Sequence, residues 1–256
     1  MANLFDLTGK TAIITGSSKG IGKAIAHRLA EQGANVVISS RKLDACEEAA
    51  KEINALVGRK AAIAIAANIA VKAALQNLVD ETNTAFGKID ILVCNAASNP
   101  YFGPMGNMAD EQFHKILQNN IVSNHWLIQM VAPQMRARKD GAIILVSSIA
   151  GVRGTPVIGA YGISKAADMQ LARNLAAEFG PDNIRVNTIA PGLVKTDFAR
   201  ALWENPDILK AATARSPLGR IGEPDEIAGM AVFLASKAGA FTTGQTFVID
   251  GGQTAV

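Results

Sequence analysis

The chain has 256 residues, 49% hydrophobic and 18% charged, with a formal net charge of +3. That balance supplies a large core and excludes a disordered chain, and so small and dispersed a charge, with no basic run, excludes nucleic acid as a partner. Cys46 and Cys94 form no C-x-x-C pair, so a reduced protein without metal or redox cysteine chemistry is expected.

Strand-like and helix-like segments alternate from end to end. Residues 10–15 (KTAIIT) form a short β-branched run closed by Gly16. Residues 20–33 read as a helix, with Ile21, Ile25, Leu29 and Ala30 on one stripe. A strand follows at 35–39 (NVVIS), a helix at 43–57, an extended segment at 60–65 and a helix at 71–86. Residues 89–94 (IDILVC) are a strand. Residues 110–139 keep helical periodicity over a long stretch, which Pro133 should bend or break. A strand at 141–147 (GAIILVS), a helix at 160–179 and a strand at 183–189 (NIRVNTI) follow. Residues 223–236 are helical, with Pro224 placed in the first turn, and 246–249 form the last strand. The strands are continuous apolar runs, as burial on both faces requires. Their alternation with helices predicts one α/β domain over residues 1–256, a doubly wound parallel sheet of seven strands with helices on both faces. Residues 192–222, with Pro206, Pro217 and a short amphipathic piece around 198–203, interrupt this rhythm and are expected to form a substrate lid. The start, MANLFDLTGK, lacks the pattern of a signal peptide. The longest apolar stretches, such as 61–67, fall short of the roughly 18 residues of a membrane span, so a cytoplasmic protein without membrane contact is expected.

Thr15-Gly16-Ser17-Ser18-Lys19-Gly20-Ile21-Gly22 joins the first strand to the first helix. Glycines there let the chain turn tightly and the backbone approach a pyrophosphate, and the helix N-terminus offers free N–H groups. Further along, Tyr161 and Lys165 lie four residues apart on one helix face, Ser148 stands after the fifth of these longer strands, and Asn120 lies in NNIVS. The TGxxxGIG spacing, with Ser148, Tyr161, Lys165 and Asn120 in that arrangement, resembles the short-chain dehydrogenases/reductases from about Gly9 to Gly252.

The resemblance implies a Rossmann-like fold, a bound nicotinamide dinucleotide and a catalytic set of Asn120, Ser148, Tyr161 and Lys165. The second strand ends Ser39-Ser40-Arg41 with no acidic residue. Arg41 can grip a 2′-phosphate with two donors and Lys19 adds a second cation, so NADP(H) is preferred; Ser40 permits NAD(H) as well. Asn68, with Ile69, stands where relatives carry an Asp against adenine; its side-chain carbonyl can still accept. Asn95-Ala96-Ala97 resembles the family's N-A-G segment. Pro191 and Gly192 would turn the chain over the nicotinamide, with Val194 and Thr196 at its carboxamide. By resemblance Lys165 also holds the ribose hydroxyls, and Asn120 fixes a water linking Lys165 to solvent.

Carbonyl reduction needs a hydride at carbon and a proton at oxygen. A phenol of pKa about 10 is a poor acid. A cation about 4 Å away favours the phenolate by up to about 4 kcal/mol at an effective dielectric of about 20, before opposing desolvation. Lys165 can supply that cation, and the Ser148 hydroxyl can stabilise charge on the substrate oxygen. His27, His114 and His125 have no metal-ligand spacing, so no metal is expected. Trp126 and the methionines at 130–135 are assigned to packing; Trp203, Tyr101 and Phe102 are candidate substrate contacts. The expected function is NADP(H)-dependent interconversion of a small-molecule carbonyl and an alcohol, with the segments at 99–103 and 190–203 resembling the carbonyl and retinal reductase branch. A 3-oxoacyl thioester reductase, with Arg153, Lys195 and Arg200 meeting a carrier, is the alternative, and an inactive NADP-sensing regulator is the rival of another class. The resemblance also implies a homotetramer built on the helices at 110–139 and 160–179.

Overall fold

Along every central strand, successive residues enter two different apolar clusters, one on each face of the sheet. On β1 (Thr11–Thr15), Ala12 and Ile14 join one cluster and Ile13 the other. β2 (Asn35–Ser39) divides Val36 and Ile38 from Val37, and β4 (Ile91–Cys94) divides Ile91 and Val93 from Leu92 and Cys94. β5 (Gly141–Val146) does the same with Ile144 and Val146 against Ile143 and Leu145. β3 (Ala62–Ala64), β6 (Ile184–Pro191) and β7 (Thr246–Ile249) complete the sheet. The order is β3-β2-β1-β4-β5-β6-β7 and every neighbouring pair is parallel. The computed structural model describes residues 3–256. The expected seven-stranded, doubly wound Rossmann-like sheet is the fold observed.

The helices are α1 (Gly20–Glu31), α2 (Leu43–Val57), α3 (Lys72–Phe86), α4 (Asp110–Leu117), α5 (Ser123–Arg138), α6 (Gly159–Phe179), α7 (Arg200–Trp203), α8 (Pro206–Ala214) and α9 (Pro224–Ala235). Leu29, Ile53 and Ile227 place α1, α2 and α9 on one face; Leu78, Val131 and Ala172 place α3, α5 and α6 on the other. The strand order reverses between β1 and β4. In open α/β sheets such a reversal opens a crevice at the carboxyl ends, where ligands bind.

The helical stretch at 110–139 is not broken at Pro133, which lies inside α5. Pro133 and Gln129, whose carbonyl would have bonded the missing N–H, are both exposed residues, so water can take that carbonyl's partner role. The irregularity lies earlier, as a wide π turn at Gln118–Val122. The zone at 192–222, expected as a lid, holds a 3-10 turn at Asp197–Ala199, then α7 and α8. The Asn205 side chain caps α8 by accepting from the N–H of Asp207 and of Ile208, and Pro206 starts it. Other element ends differ from the sequence reading by one or two residues; the third strand is shorter at both ends.

Ile144 is fully buried at the centre of the sheet, whereas Leu218 is 65% exposed. Ile144→Ala should lower the unfolding free energy by about 2–5 kcal/mol and Leu218→Ala by less than about 0.5 kcal/mol. Urea unfolding of the two variants measures the difference.

Candidate active site

The glycine turn is built by close packing. Gly16 (φ +66°) and Gly20 (φ +59°) occupy the left-handed region that glycine tolerates. At Gly22 a Cβ would lie 2.5 Å from the Gly16 carbonyl oxygen. Asn95, after β4, donates its amide to the carbonyls of Thr15 (2.9 Å) and Gly16 (3.1 Å). The Thr15 hydroxyl accepts from the N–H of Asn95 and of Ala96. Asn95 and Ala96 thus brace the turn from below. α1 begins at Gly20 with no side-chain cap, so the N–H groups of its first turn, including those of Gly20, Ile21 and Gly22, are donors for an anion. Ser18 is half-buried in the turn. These features fit the pyrophosphate of a dinucleotide.

The other predicted cofactor residues line the same sheet edge. Ser40 and Arg41 follow β2; Arg41 is exposed and, among the described residues, has no carboxylate within ion-pair distance. The Ser40 hydroxyl lies 3.1 Å from the Cys46 sulfur. Asn68 is exposed beyond β3, with Ile69 beside it, and its Oδ1 accepts from the Ala70 N–H at 3.1 Å. Lys19 does not stand free: its Nζ donates to Asp197 Oδ2 at 2.8 Å. Both groups are exposed, and an exposed pair is worth under about 1 kcal/mol, so a phosphate can compete for this lysine. Pro191 ends β6. Gly192 passes Asp250 so closely that a Cβ would lie 2.8 Å from the Asp250 backbone. Val194 is buried, and the Thr196 methyl stands over Gly20.

The four predicted catalytic residues gather around the first turns of α6. The Ser148 hydroxyl, just past β5, accepts from the Ala150 N–H at 3.1 Å. The segment at 149–151 packs so tightly on α6 that a Cβ at Gly151 or Gly162 would come within 2.7 Å of the other element's backbone. That contact sets Ser148 against Tyr161. Lys165 is almost fully buried, with Nζ 5.7 Å from the centre of the Tyr161 ring. Its ammonium donates to the Val146 carbonyl (2.8 Å) and to Asp168 Oδ2 (3.0 Å). Asp168, fully buried, was not singled out from the sequence, though its i, i+3 spacing from Lys165 places it on the same helix face.

Burial would discharge Lys165, but Asp168 and Tyr161 more than offset it and hold the ammonium above its usual range. Burial also raises the Tyr161 phenol, Lys165 and the nearby Ser148 hydroxyl pull it down, Asp168 pushes it up, and the net direction is upward. Lys165 alone therefore does not make Tyr161 more acidic than a free phenol, contrary to the simple cation argument. Asn120 lies in the π turn, fully buried. Its amide donates to the Ser98 carbonyl (3.1 Å) and the Ser164 hydroxyl (3.0 Å), and its Oδ1 accepts from the Ser98 N–H. Its backbone carbonyl accepts from the Asn124 side-chain amide at 2.7 Å.

Of the aromatic candidates, Trp203 donates its indole N–H to the Thr196 carbonyl (2.8 Å) and Tyr101 its hydroxyl to the Pro104 carbonyl (2.9 Å), so both brace their loops. Phe102 is exposed. The ring nearest the phenol is Phe198, 6.1 Å from Tyr161 between centroids. The sequence reading placed Phe198 in the amphipathic piece but singled out Trp203 of that piece, not Phe198, as the substrate contact. Phe102, Met105, Val152 and Phe198 are all exposed apolar residues on the loops after β4, β5 and β6.

A parallel sheet with a dinucleotide turn and a Ser–Tyr–Lys set at its carboxyl edge defines a nicotinamide-dependent oxidoreductase. The chain belongs to the short-chain dehydrogenase/reductase family, whose members act on CH–OH and carbonyl groups with NAD(P). The family model described as enoyl-(acyl carrier protein) reductase matches residues 16–254. Dehydrogenase/reductase SDR family member 4 of Bos taurus is 39% identical over 253 residues, covering 98% of this chain and 90% of that protein. A gluconate 5-dehydrogenase from Burkholderia cenocepacia, solved with NADP and tartrate, superposes with a TM-score of 0.93 at 34% identity, covering 99% of this chain and 98% of the other. A 7α-hydroxysteroid dehydrogenase, solved with NADH and 7-oxo glycochenodeoxycholic acid, gives 0.93 at 37% identity, covering 98% of each.

Gly22→Ala forces a Cβ against the Gly16 carbonyl. It should weaken NADPH binding at least tenfold in a fluorescence titration, while the far-ultraviolet dichroism stays that of the parent.

Proposed function

We propose that the protein is an NADPH-dependent carbonyl reductase, reversible as an alcohol dehydrogenase, acting on small ketones or aldehydes of apolar character. The observation that carries this reading is Tyr161. Its phenol, protonated at neutral pH like any phenol, stands beside the buried ammonium of Lys165, whose Nζ lies 5.7 Å from the ring centre. A protonated phenol is the form that gives a proton to a carbonyl oxygen.

The nicotinamide, when bound, supplies the hydride. Ser148 orients the carbonyl and stabilises charge on its oxygen, and Tyr161 delivers the proton. Lys165 sets the charge beside the phenol and reaches the ribose hydroxyls; Asn120 orders the π turn and fixes a water. Gly16, Ser18, Gly20, Ile21 and Gly22 cradle the pyrophosphate, Asn68, Ile69, Asn95 and Ala96 flank the adenine and ribose, and Pro191, Gly192, Val194 and Thr196 cover the nicotinamide. Arg41, exposed and without a carboxylate partner, supports a preference for NADP(H) over NAD(H). Residues 192–222 act as the substrate lid, with Phe198 as its inner face.

Apolar loops around Tyr161 favour a hydrophobic substrate. The alternative, 3-oxoacyl thioester reduction, would use Arg153, Lys195 and Arg200 to meet a carrier; Arg200 pairs at the surface with Asp197 and Glu204, and activity on an acetoacetyl thioester against aromatic ketones separates the two readings. The protein is assigned to the cytoplasm and to a homotetramer packed through α5 and α6.

Purified protein with NADPH and a panel of aromatic and aliphatic ketones, followed by loss of reduced-nicotinamide absorbance, tests the activity. NADPH binding without consumption of any carbonyl would instead favour a regulatory protein. Tyr161→Phe should abolish turnover and leave NADPH binding within about twofold. Retained turnover would remove the phenol from the chemistry. Arg41→Asp should move the ratio of kcat/KM for NADPH over NADH at least tenfold towards NADH, the loss expected when a charge-assisted contact becomes repulsive.

A further inference from the structure

Asp168 is fully buried, a placement carboxylates almost never take without a partner. Each of its oxygens accepts one hydrogen bond. Oδ2 receives the Lys165 ammonium at 3.0 Å, and Oδ1 receives the Asn124 amide at 3.0 Å. Both donors lack a lone pair facing it, which is the arrangement of an ionised carboxylate. Asn124 uses the same amide nitrogen to hold the Asn120 carbonyl at 2.7 Å. A chain of polar contacts therefore runs from Asn120 to Lys165 through Asn124 and Asp168, two residues outside the Asn–Ser–Tyr–Lys set.

The titratable groups around this chain are Tyr161 and Lys165 on α6 and Cys94 at the end of β4. Burial pushes the Cys94 thiol far up, so it stays neutral. α5 brings the neutral Asn124, β5 the Val146 carbonyl, and the residue after it, Ser147, a hydroxyl that donates to the Lys165 carbonyl at 2.6 Å. Asp168 is thus the negative charge next to the Tyr161–Lys165 pair.

Because the phenol and ammonium interact strongly, their protons leave as a pair. A fixed negative charge beside them makes the first loss harder, whichever group surrenders it. We propose that Asp168 is a positioning residue that, braced by Asn124, keeps the Tyr161–Lys165 pair protonated to higher pH and so sets the alkaline limit for carbonyl reduction. This rests on Tyr161 being the proton donor. The carboxylate itself touches neither substrate nor cofactor in this role.

Two measurements test it. In the pH profile of kcat/KM for carbonyl reduction, Asp168→Asn should move the alkaline limb down by about one pH unit or more. Asp168→Glu should restore it in part. Asn124→Ala, which keeps the carboxylate but loosens it, should shift the limb less and in the same direction. The second measurement needs no activity. With Asp168 neutralised, Lys165 becomes an uncompensated buried ammonium, so the variant should melt below the parent at neutral pH. That gap should narrow as pH rises towards about 10.5, the ordinary lysine value, because the variant sheds its uncompensated proton below that pH, and it should close above it, where the parent's raised ammonium is lost in turn. An unmoved limb together with a melting gap independent of pH would overturn the proposal. If Asp168→Asn does not fold, an unshifted limb in Asn124→Ala overturns it equally. A closing gap in a protein that reduces no carbonyl would uphold the charge coupling and sink the reductase reading instead.

Discussion

Everything at the catalytic edge depends on an ammonium held in the core. Lys165 is 2% exposed, and an isolated charge there would shed its proton. It is held by the Val146 carbonyl, the last residue of β5, and by Asp168, one turn along α6. Breaking such a pair by removing one partner typically costs about 3–5 kcal/mol, because the other charge is left buried. The same contacts fix the height of α6 against β5, and with it the position of Tyr161 against Ser148. Stability and chemistry therefore draw on one cluster.

The rest of the fold delivers its parts to this cluster. The reversal of strand order between β1 and β4 opens the edge where the glycine turn lies, and Asn95 ties that turn to β4. The π turn at Gln118–Val122 points Asn120 inward; an unbroken helix would rotate that position away, and such bulges recur at functional sites. Over the top, the segment after β6 is stapled by the Trp203 indole and tethered to the glycine turn through Lys19 and Asp197. The tether is exposed and therefore weak.

Much of this was legible in the sequence. Seven apolar runs, each bounded by turn residues, gave away a sheet buried on both faces, and the helix stripes placed its covers. Tyr161, Lys165, Ser148 and the glycines were proposed from their spacing; Ser148 follows β5, Tyr161 and Lys165 lie on α6, and the glycines join β1 to α1. What stayed hidden was relational. The π turn has no periodicity signal, because one extra residue per turn leaves the apolar pattern almost intact, and Pro133 drew attention to the wrong place. Asp168 resembled a polar residue on an amphipathic helix until its burial was known, although its spacing from Lys165 was there to be read. Phe198 and Trp203 lie on one short segment, and only the fold decides which meets the phenol. Lys19 was assigned from charge alone, which says nothing of a carboxylate 178 residues away.

The most direct test concerns the charge on that buried amine. Heteronuclear NMR of the Lys165 side chain, followed across pH in the intact protein and assigned against Lys165→Met, reads its protonation without reference to turnover. The account predicts an ammonium that persists above the ordinary lysine value of 10.5. An amine already neutral near pH 7 would contradict it.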